Sequence, residues 1–546
     1  MTEARPHGRA RMGVSRRGSL PLLWKPCTAV AGAMHGQDAL ATLFVLNQEY
    51  RHWLENWLGT RPFRWLLRRL SRKSNGSTSL ERIIASYRDP AASLGQRLAY
   101  WPYHKLIDRL RGSASVESFR TRLAQHKPTL RGLVIVARSI AEFGLTQPQR
   151  FSAPLFAVWN FTNRCNLRCK HCYQRSEHVA LPDELTAPEK LAVVDKLGEA
   201  YVPMLALAGG EPTICPDLLS VLRRAQQYGM HTTVATNGAT MTAQLAQQLA
   251  DAGVRYVEVS LDSVDPSRHD AFRGCPGMWE RSVRGARIVA ATPPLRLGIA
   301  MCVHRGNYHE VRDMLEFAIS LGAGCFAHFN FIPVGRGLRM VSGDITPAQR
   351  EELLVLLNQY MQSGRIGVIS TAPQLGRTCL MQAMQHLGQA GGEDDSSRTA
   401  CSHAGSGSGA KARVVAKYLG GCGAGRTYVC IEPNGDVTPC VYLPHRVMGN
   451  LRSGSVQEIF RGQWYEMFND RTARVHHCGQ CEFANFCGGC RARSDAYFGR
   501  LDAGDPGCVF NQPQWDELVA SGVAKLTDAD QEASELELTP TRHGPA

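Results

Sequence analysis

From residue 151 the sequence alternates six times between a short apolar run and a stretch of helical periodicity, and this restricts the fold more than any other feature. The apolar runs are 155–162, 203–208, 231–235, 255–261, 295–303 and 326–332, and the helical stretches between them are 188–200, 216–228, 242–252, 279–291 and 308–321. Strand–helix units in series imply a parallel sheet with right-handed crossovers. Six units fall short of a closed eight-unit barrel. The expectation is therefore an α/β core over 151–385, built as an open, partial (β/α)6 TIM barrel.

Charge divides the chain at the start of that core. Residues 1–150 hold 25 Lys and Arg against 9 Asp and Glu, whereas the whole chain of 546 residues has 62 against 48. All of the basic excess thus precedes the barrel. Residues 1–37 are Arg-, Gly- and Pro-rich and are expected to be disordered, with Met34 a second candidate start. Residues 38–150 read as a basic helical extension. Within it, over 50–72, Trp53, Trp57, Trp65, Leu66 and Leu67 interleave with Arg51, Arg61, Arg64, Arg68 and Arg69. Such a helix suits an anionic membrane surface, or else packs on its own protein with solvated arginines. No apolar run is long enough for a spanning helix.

The 18 cysteines need a compartment before they can be read. Ser15-Arg16-Arg17-Gly18 before Leu20, Leu22 and Leu23 resembles a twin-arginine signal, but Lys25 and Pro26 break the apolar stretch. The expectation is a cytoplasmic chain, with peripheral contact to the inner membrane face through 50–72 as a further option. Thiols there stay reduced, and cysteine clusters bind metal.

The first cluster is Cys165-Asn-Leu-Arg-Cys169-Lys-His-Cys172-Tyr173, directly after the first strand. Three thiolates can ligate three irons of a [4Fe–4S] cluster and leave the fourth iron open. Zinc would want a fourth ligand, and only His171 is at hand. C-x3-C-x2-C followed by an aromatic resembles the signature of the radical S-adenosylmethionine (radical SAM) superfamily. That resemblance implies that the open iron chelates SAM, and that one electron cleaves it to methionine and a 5′-deoxyadenosyl radical that abstracts hydrogen from the substrate. A flavodoxin- or ferredoxin-type donor would supply the electron.

Further motifs arrive at the expected strand ends. Gly209-Gly210-Glu211-Pro212 matches the superfamily's GGEP motif, which implies contact with the SAM ammonium, with Glu211 as an acceptor. Thr236-Asn237-Gly238 and Ser260-Leu261-Asp262 end the third and fourth strands, and Asn237 and Ser260 resemble positions near the SAM ribose and carboxylate. Asp262 reads as a turn cap. Ile332 and Pro333 would match the adenine-side wall, and Tyr173 joins the cofactor-binding set.

A second cysteine field, residues 418–512, holds Cys422, Cys430, Cys440, Cys478, Cys481, Cys487, Cys490 and Cys508. Residues 427–441 read as a hairpin turning at Pro433-Asn434-Gly435-Asp436. The field resembles the SPASM domain, which carries auxiliary [4Fe–4S] clusters. The resemblance implies one cluster on Cys422, Cys440, Cys490 and optionally Cys430, and another on Cys478, Cys481, Cys487 and Cys508. Two zinc ribbons are the alternative. Between the domains, 386–417 is Gly/Ser-rich and reads as a flexible insertion, and 513–546 as a C-terminal tail.

Cys487-Gly-Gly-Cys490 has two intervening residues where three are commoner, and this shorter form resembles the radical SAM enzymes of haem and haem d1 biosynthesis. The expected function is therefore a radical SAM oxidoreductase acting on a tetrapyrrole or other cofactor, or on a peptide. The alternatives are modification of a membrane lipid or isoprenoid chain, a non-catalytic iron–sulfur scaffold, and a zinc- or cluster-containing nucleic-acid binder. Against the last, the basic arm lacks regular basic–aromatic repeats, and the GGEP series would go unexplained.

Overall fold

The computed structural model describes residues 57–74, 76–111, 115–390, 398–401, 405–408 and 416–524. The 1–37 arm, the first part of the 50–72 stretch and the end of the tail lie outside them.

The six expected strands form β1 (Phe156–Asn160), β2 (Met204–Ala208), β3 (His231–Thr236), β4 (Val254–Ser260), β5 (Arg296–Val303) and β6 (Cys325–Asn330), paired in parallel in that order. A seventh parallel strand, β7 (Gly367–Ser370), extends the β6 edge. Its four residues are too short for the apolar pattern to reveal. At the other edge the SPASM-like hairpin joins the same sheet. There β8 (Tyr428–Ile431) pairs in parallel with β1, Tyr428 opposite Phe156, and β9 (Asp436–Thr438) and β10 (Gly449–Asn450) follow antiparallel. The barrel and the second cysteine field thus share one ten-stranded sheet.

In the extension, α1 (Arg61–Leu70), α2 (Leu94–Arg111) and α3 (Lys127–Phe143) confirm the helical reading. Arg64 and Arg68 donate to the Ala141 carbonyl at the end of α3, 3.3 and 3.2 Å away. They satisfy carbonyls that a helix C-terminus leaves open. Phe63 and Leu67 pack on the core, so α1 rests on its own protein through that face, while Trp65 points outward at 62% exposure. On α3, Arg131 is buried and donates to the carbonyls of Val202, Gly198 and Tyr228, which docks the extension onto the barrel.

The crossover helices start where the sequence signals them. Thr186 and Glu189 form a capping box for α4 (Ala187–Glu199). Asp265 caps α5 (Pro266–Arg273), which stops at Gly274 with φ +69°. Outside the six units lie α6 (Pro347–Ser363), α7 (Gln374–Ala390), α8 (Arg491–Phe498) and α9 (Gln512–Ala520).

Two of the expected domain boundaries fall inside helices. The 386–417 insertion begins inside α7 and contains two antiparallel strands, Arg398–Cys401 and Gly405–Ser408. Backbone pairing needs no apolar side chains, so Gly/Ser content did not exclude it. The 513–546 tail begins with a packed helix, α9. Its Trp515 is 2% exposed and clusters with Leu518 and Ala524, a local apolar set that the acidic composition of the whole tail concealed.

Candidate functional site

The barrel interior is hollow. Strand positions that point inward carry small side chains, among them Ala206, Ala208, Ala235 and Ala300, and a cavity of about 340 Å³ remains between the strands and the SPASM-like field. Cys165, Cys169 and Cys172 line one wall, and Cys422, Cys440 and Cys490 line another. Two thiol triplets from opposite ends of the sequence therefore face one space. Among the described residues, no three His, Cys, Asp or Glu side chains close on a single-ion site.

The cysteine loop is held from several sides. Arg336 donates from Nε to the Cys169 carbonyl at 2.9 Å and from Nη1 to the Ser176 carbonyl at 2.8 Å. Gly210 sits so close beneath the loop that a Cβ there would stand 2.2 Å from the Arg164 carbonyl. Gly209, at φ +101°, would put a Cβ 2.9 Å from the Asn160 backbone, an approach that favours glycine. Burial pushes the Cys165 thiol up to about 12, with the Glu211 carboxylate adding to the rise. An incoming iron must displace that proton, as metal binding to thiols generally does. Near Cys169 the Arg273 guanidinium lies 3.7 Å from Sγ, a cation suited to a thiolate. These residues fit a cluster with one open iron: three thiols on one cavity wall, close-set glycine backbone and a facing cation.

Glu211 is heavily engaged by the protein itself. Its Oε1 accepts from Thr213 N at 3.1 Å and Thr236 Oγ1 at 2.7 Å as well as the Thr213 hydroxyl, and its Oε2 accepts from Asn237 N at 2.8 Å. A carboxylate offers about four acceptor sites, so these four bonds nearly exhaust it. Glu211 ties the GGEP loop to the end of β3, and Gly209 and Gly210 line the cavity.

Asn237, Ser260, Ile332 and Tyr173 all line the cavity. Asn237 Nδ2 donates to Asn166 Oδ1 at 2.8 Å, inside the cysteine loop. The Tyr173 hydroxyl donates to Asn160 Oδ1 at 2.8 Å, and Asn160 in turn donates to Glu432 beyond β8 at 3.0 Å. Cys430 stands apart from the expected ligand set. It is fully buried off the cavity wall, with its thiol directed to Glu432 and the Ile431 carbonyl. Cys478, Cys481, Cys487 and Cys508 lie near one another, and none of them lines the cavity. Burial raises the Cys487 thiol, and Cys508 and Cys478 raise it further.

Several site residues escaped the sequence reading. Asp262 is no turn cap: Arg273 Nη2 pairs with its Oδ2 at 2.6 Å, and Cys302 N donates to its Oδ1 at 2.9 Å. A polar strand end followed by Arg-ending α5 was the available signal, but nothing local pairs the two. Glu258 projects into the hollow of the barrel, where Tyr256 donates to its Oε2 at 3.2 Å. Burial pushes its carboxyl up from 4.5 to about 7. A raised folded-state value means that stability present below pH 4.5 is lost as pH rises through 7. Glu258→Gln should therefore gain about 2.5 kcal/mol on the parent between pH 5 and pH 8, at about 1.36 kcal/mol per pKa unit. Urea midpoints at the two pH values check this, and parallel pH dependence of the two proteins would refute it.

The profile of the Radical SAM superfamily matches residues 159–318, and that of SPASM, an iron–sulfur cluster-binding domain, matches 422–482. The chain belongs to the radical SAM superfamily and carries a SPASM domain. It is an enzyme that uses SAM and [4Fe–4S] clusters. Among its relatives, the AdoMet-dependent heme synthase of Methanosarcina barkeri is 30% identical over 66% of this chain and 97% of that protein. The pre-heme d1 synthase of Dinoroseobacter shibae is 27% identical over 68% and 89%. Among solved structures, Streptococcus suis SuiB bound to precursor peptide SuiA aligns with a TM-score of 0.54 at 16% identity, over 79% of this chain and 93% of that one.

Proposed function

We propose that this enzyme oxidises a side chain of a tetrapyrrole, with Cys165, Cys169 and Cys172 holding the SAM-binding cluster. Cys422, Cys440 and Cys490 would hold one auxiliary cluster, and Cys478, Cys481, Cys487 and Cys508 the other. The observation that carries the reading is the single cavity walled by Cys165, Cys169 and Cys172 on one side and by Cys422, Cys440 and Cys490 on the other. A substrate seated there touches both the site of hydrogen abstraction and a group able to take up an electron. Bound SAM and its cluster supply a 5′-deoxyadenosyl radical. The chain's own residues do the rest. Arg273, fixed by Asp262, offers a guanidinium to the SAM carboxylate, and the Gly209 and Gly210 carbonyls accept from its ammonium. The apolar walls exclude water from the radical.

The choice of tetrapyrrole over peptide rests on the Cys487–Cys490 spacing and on relatives named for haem synthesis that align over most of their length. Anaerobic incubation with SAM, dithionite and a panel of propionate-bearing porphyrins should give a SAM-dependent change in the mass of one of them. Peptide-stimulated SAM cleavage with every tetrapyrrole untouched would overturn the reading.

A peripheral membrane contact has its own observation. Leu94, Leu98 and Trp101 lie one turn apart along α2 and are 76%, 76% and 59% exposed, beside Arg97, Lys105 and Arg109. An apolar stripe flanked by cations suits an anionic surface. The whole chain should float with phosphatidylglycerol vesicles, and Leu98→Glu with Trp101→Glu should abolish flotation. Flotation unchanged by the pair would sink the idea.

A further inference from the structure

Behind Cys490, away from the cavity, three arginines are buried together: Arg471, Arg474 and Arg491, at 4%, 7% and 1% exposure. Their charged neighbours include one another, a further buried arginine, Arg426, and the thiols of Cys422, Cys478 and Cys487. Among the described residues none of the three is ion-paired with a carboxylate. Arg491 Nη1 donates to the Leu501 and Ala503 carbonyls, both at 2.7 Å, and Arg471 Nη2 to the Gly420 carbonyl at 2.8 Å. Nε and Nη1 of Arg474 and Nη2 of Arg491 are buried without an acceptor.

Glycines make the room for this crowding. A Cβ on Gly488 would meet the Arg471 guanidinium carbon at 2.9 Å. One on Gly489, which sits at φ +63°, would meet Arg491 Nη2 at 2.4 Å and Cys478 Sγ at 3.0 Å. The Gly488-Gly489 pair of the short Cys487–Cys490 spacing thus lets two guanidiniums approach the thiols.

A buried, unpaired charge costs several kcal/mol, and like charges held together cost more. Three such cations persist only with negative charge in the same volume. Substrate carboxylates in the cavity do not supply it, because none of the three arginines lines that space. Asp470 near Arg474 and Asp502 near Arg491 stand toward the surface, and Asp502 is already paired with Arg500, so on the buried side the charge falls to the thiols, once ionised around iron. Arg377 adds a further cation, stacked on Phe510 at 4.8 Å and held by Glu351, with Cys508 and Cys487 among its charge partners.

We propose that Arg471, Arg474 and Arg491 are a built-in counter-charge shared by the two auxiliary clusters, facing Cys478 and Cys487 of one and Cys422 of the other. They stabilise the more negative, reduced form of a cluster and so make it easier to reduce. They are positioning residues, acting on the cluster rather than on substrate. The inference rests on the two-auxiliary-cluster reading above.

The test uses the full chain, reconstituted anaerobically on a Cys165→Ala, Cys169→Ala, Cys172→Ala background so that only auxiliary clusters remain. Iron is counted, and the reduced-cluster signal is followed by electron paramagnetic resonance during a redox titration. Arg474→Gln and Arg491→Gln should each keep about eight irons. In each, the reduced-to-oxidised ratio of one cluster at fixed potential should fall about tenfold, equivalent to about 59 mV for one electron. Arg474→Lys keeps the charge and should stay within about threefold of the parent. An unchanged ratio at full iron content would overturn the proposal. If the Gln variants lose their iron, Arg474→Lys decides: a ratio near that of the parent supports the counter-charge, and a tenfold fall refutes it. A parent holding only about four irons would instead break the two-cluster reading itself.

Discussion

Cys165→Ala, Cys169→Ala and Cys172→Ala should each reduce SAM cleavage to background while the chain keeps about eight of about twelve irons. The reasoning is geometric. Cys165 and Cys169 pack with Leu167 and Met278 against Cys172 in one small cluster on the cavity wall; Cys275 packs at its rim, and Cys302 and Cys325, which also line the cavity, belong to β5 and β6 and stand outside this cluster. A cluster short of one protein ligand loses the arrangement that leaves a single iron open. The two other thiol groups belong to different loops and should load normally. 5′-Deoxyadenosine formed under dithionite, with iron counted in parallel, checks both halves. Cleavage surviving in any one of the three variants would move the SAM site elsewhere.

The largest stability effect is expected at Asp344. Its carboxylate is fully buried and accepts from Arg350 Nη2 at 2.6 Å, from the Tyr497 hydroxyl at 3.0 Å and from Arg493. Arg493 also donates to the Phe331 carbonyl at 2.7 Å and lies 3.6 Å from Asp505, whose other oxygen accepts from Cys490 N at 2.8 Å. One buried carboxylate therefore joins the loop after β6, α6, α8 and a cysteine-bearing turn. Asp344→Ala leaves two buried guanidiniums without their shared partner, a loss of about 3–5 kcal/mol. The urea midpoint should fall accordingly. A variant within about 1 kcal/mol of the parent would show that the network is dispensable.

The barrel was legible because parallel strands are buried on both faces and read as compact apolar runs. All six appear within a residue or two of where the pattern puts them. The first thiol triplet was legible because its spacing is local. What stayed hidden depends on residues distant in sequence. The pairing of β8 with β1 brings residues 428–431 beside 156–159, and no local pattern encodes that. The Asp262–Arg273 and Asp344–Arg493 pairs are hidden for the same reason. Glu211 shows the opposite limit. Its motif is visible in the sequence, yet only the structure reveals that Thr213, Thr236 and Asn237 occupy its acceptor sites. Cys430 has plausible spacing for a ligand, but its strand turns the thiol toward Glu432 and away from the cavity.

The central claim is that this chain holds three iron–sulfur clusters and cleaves SAM at the first of them. Anaerobic reconstitution of the whole protein, with iron and sulfide counted and 5′-deoxyadenosine assayed under SAM and dithionite, tests it most directly. The account predicts about twelve irons per chain and steady 5′-deoxyadenosine formation. Zinc in place of iron, or a full iron complement with no SAM cleavage, would contradict it.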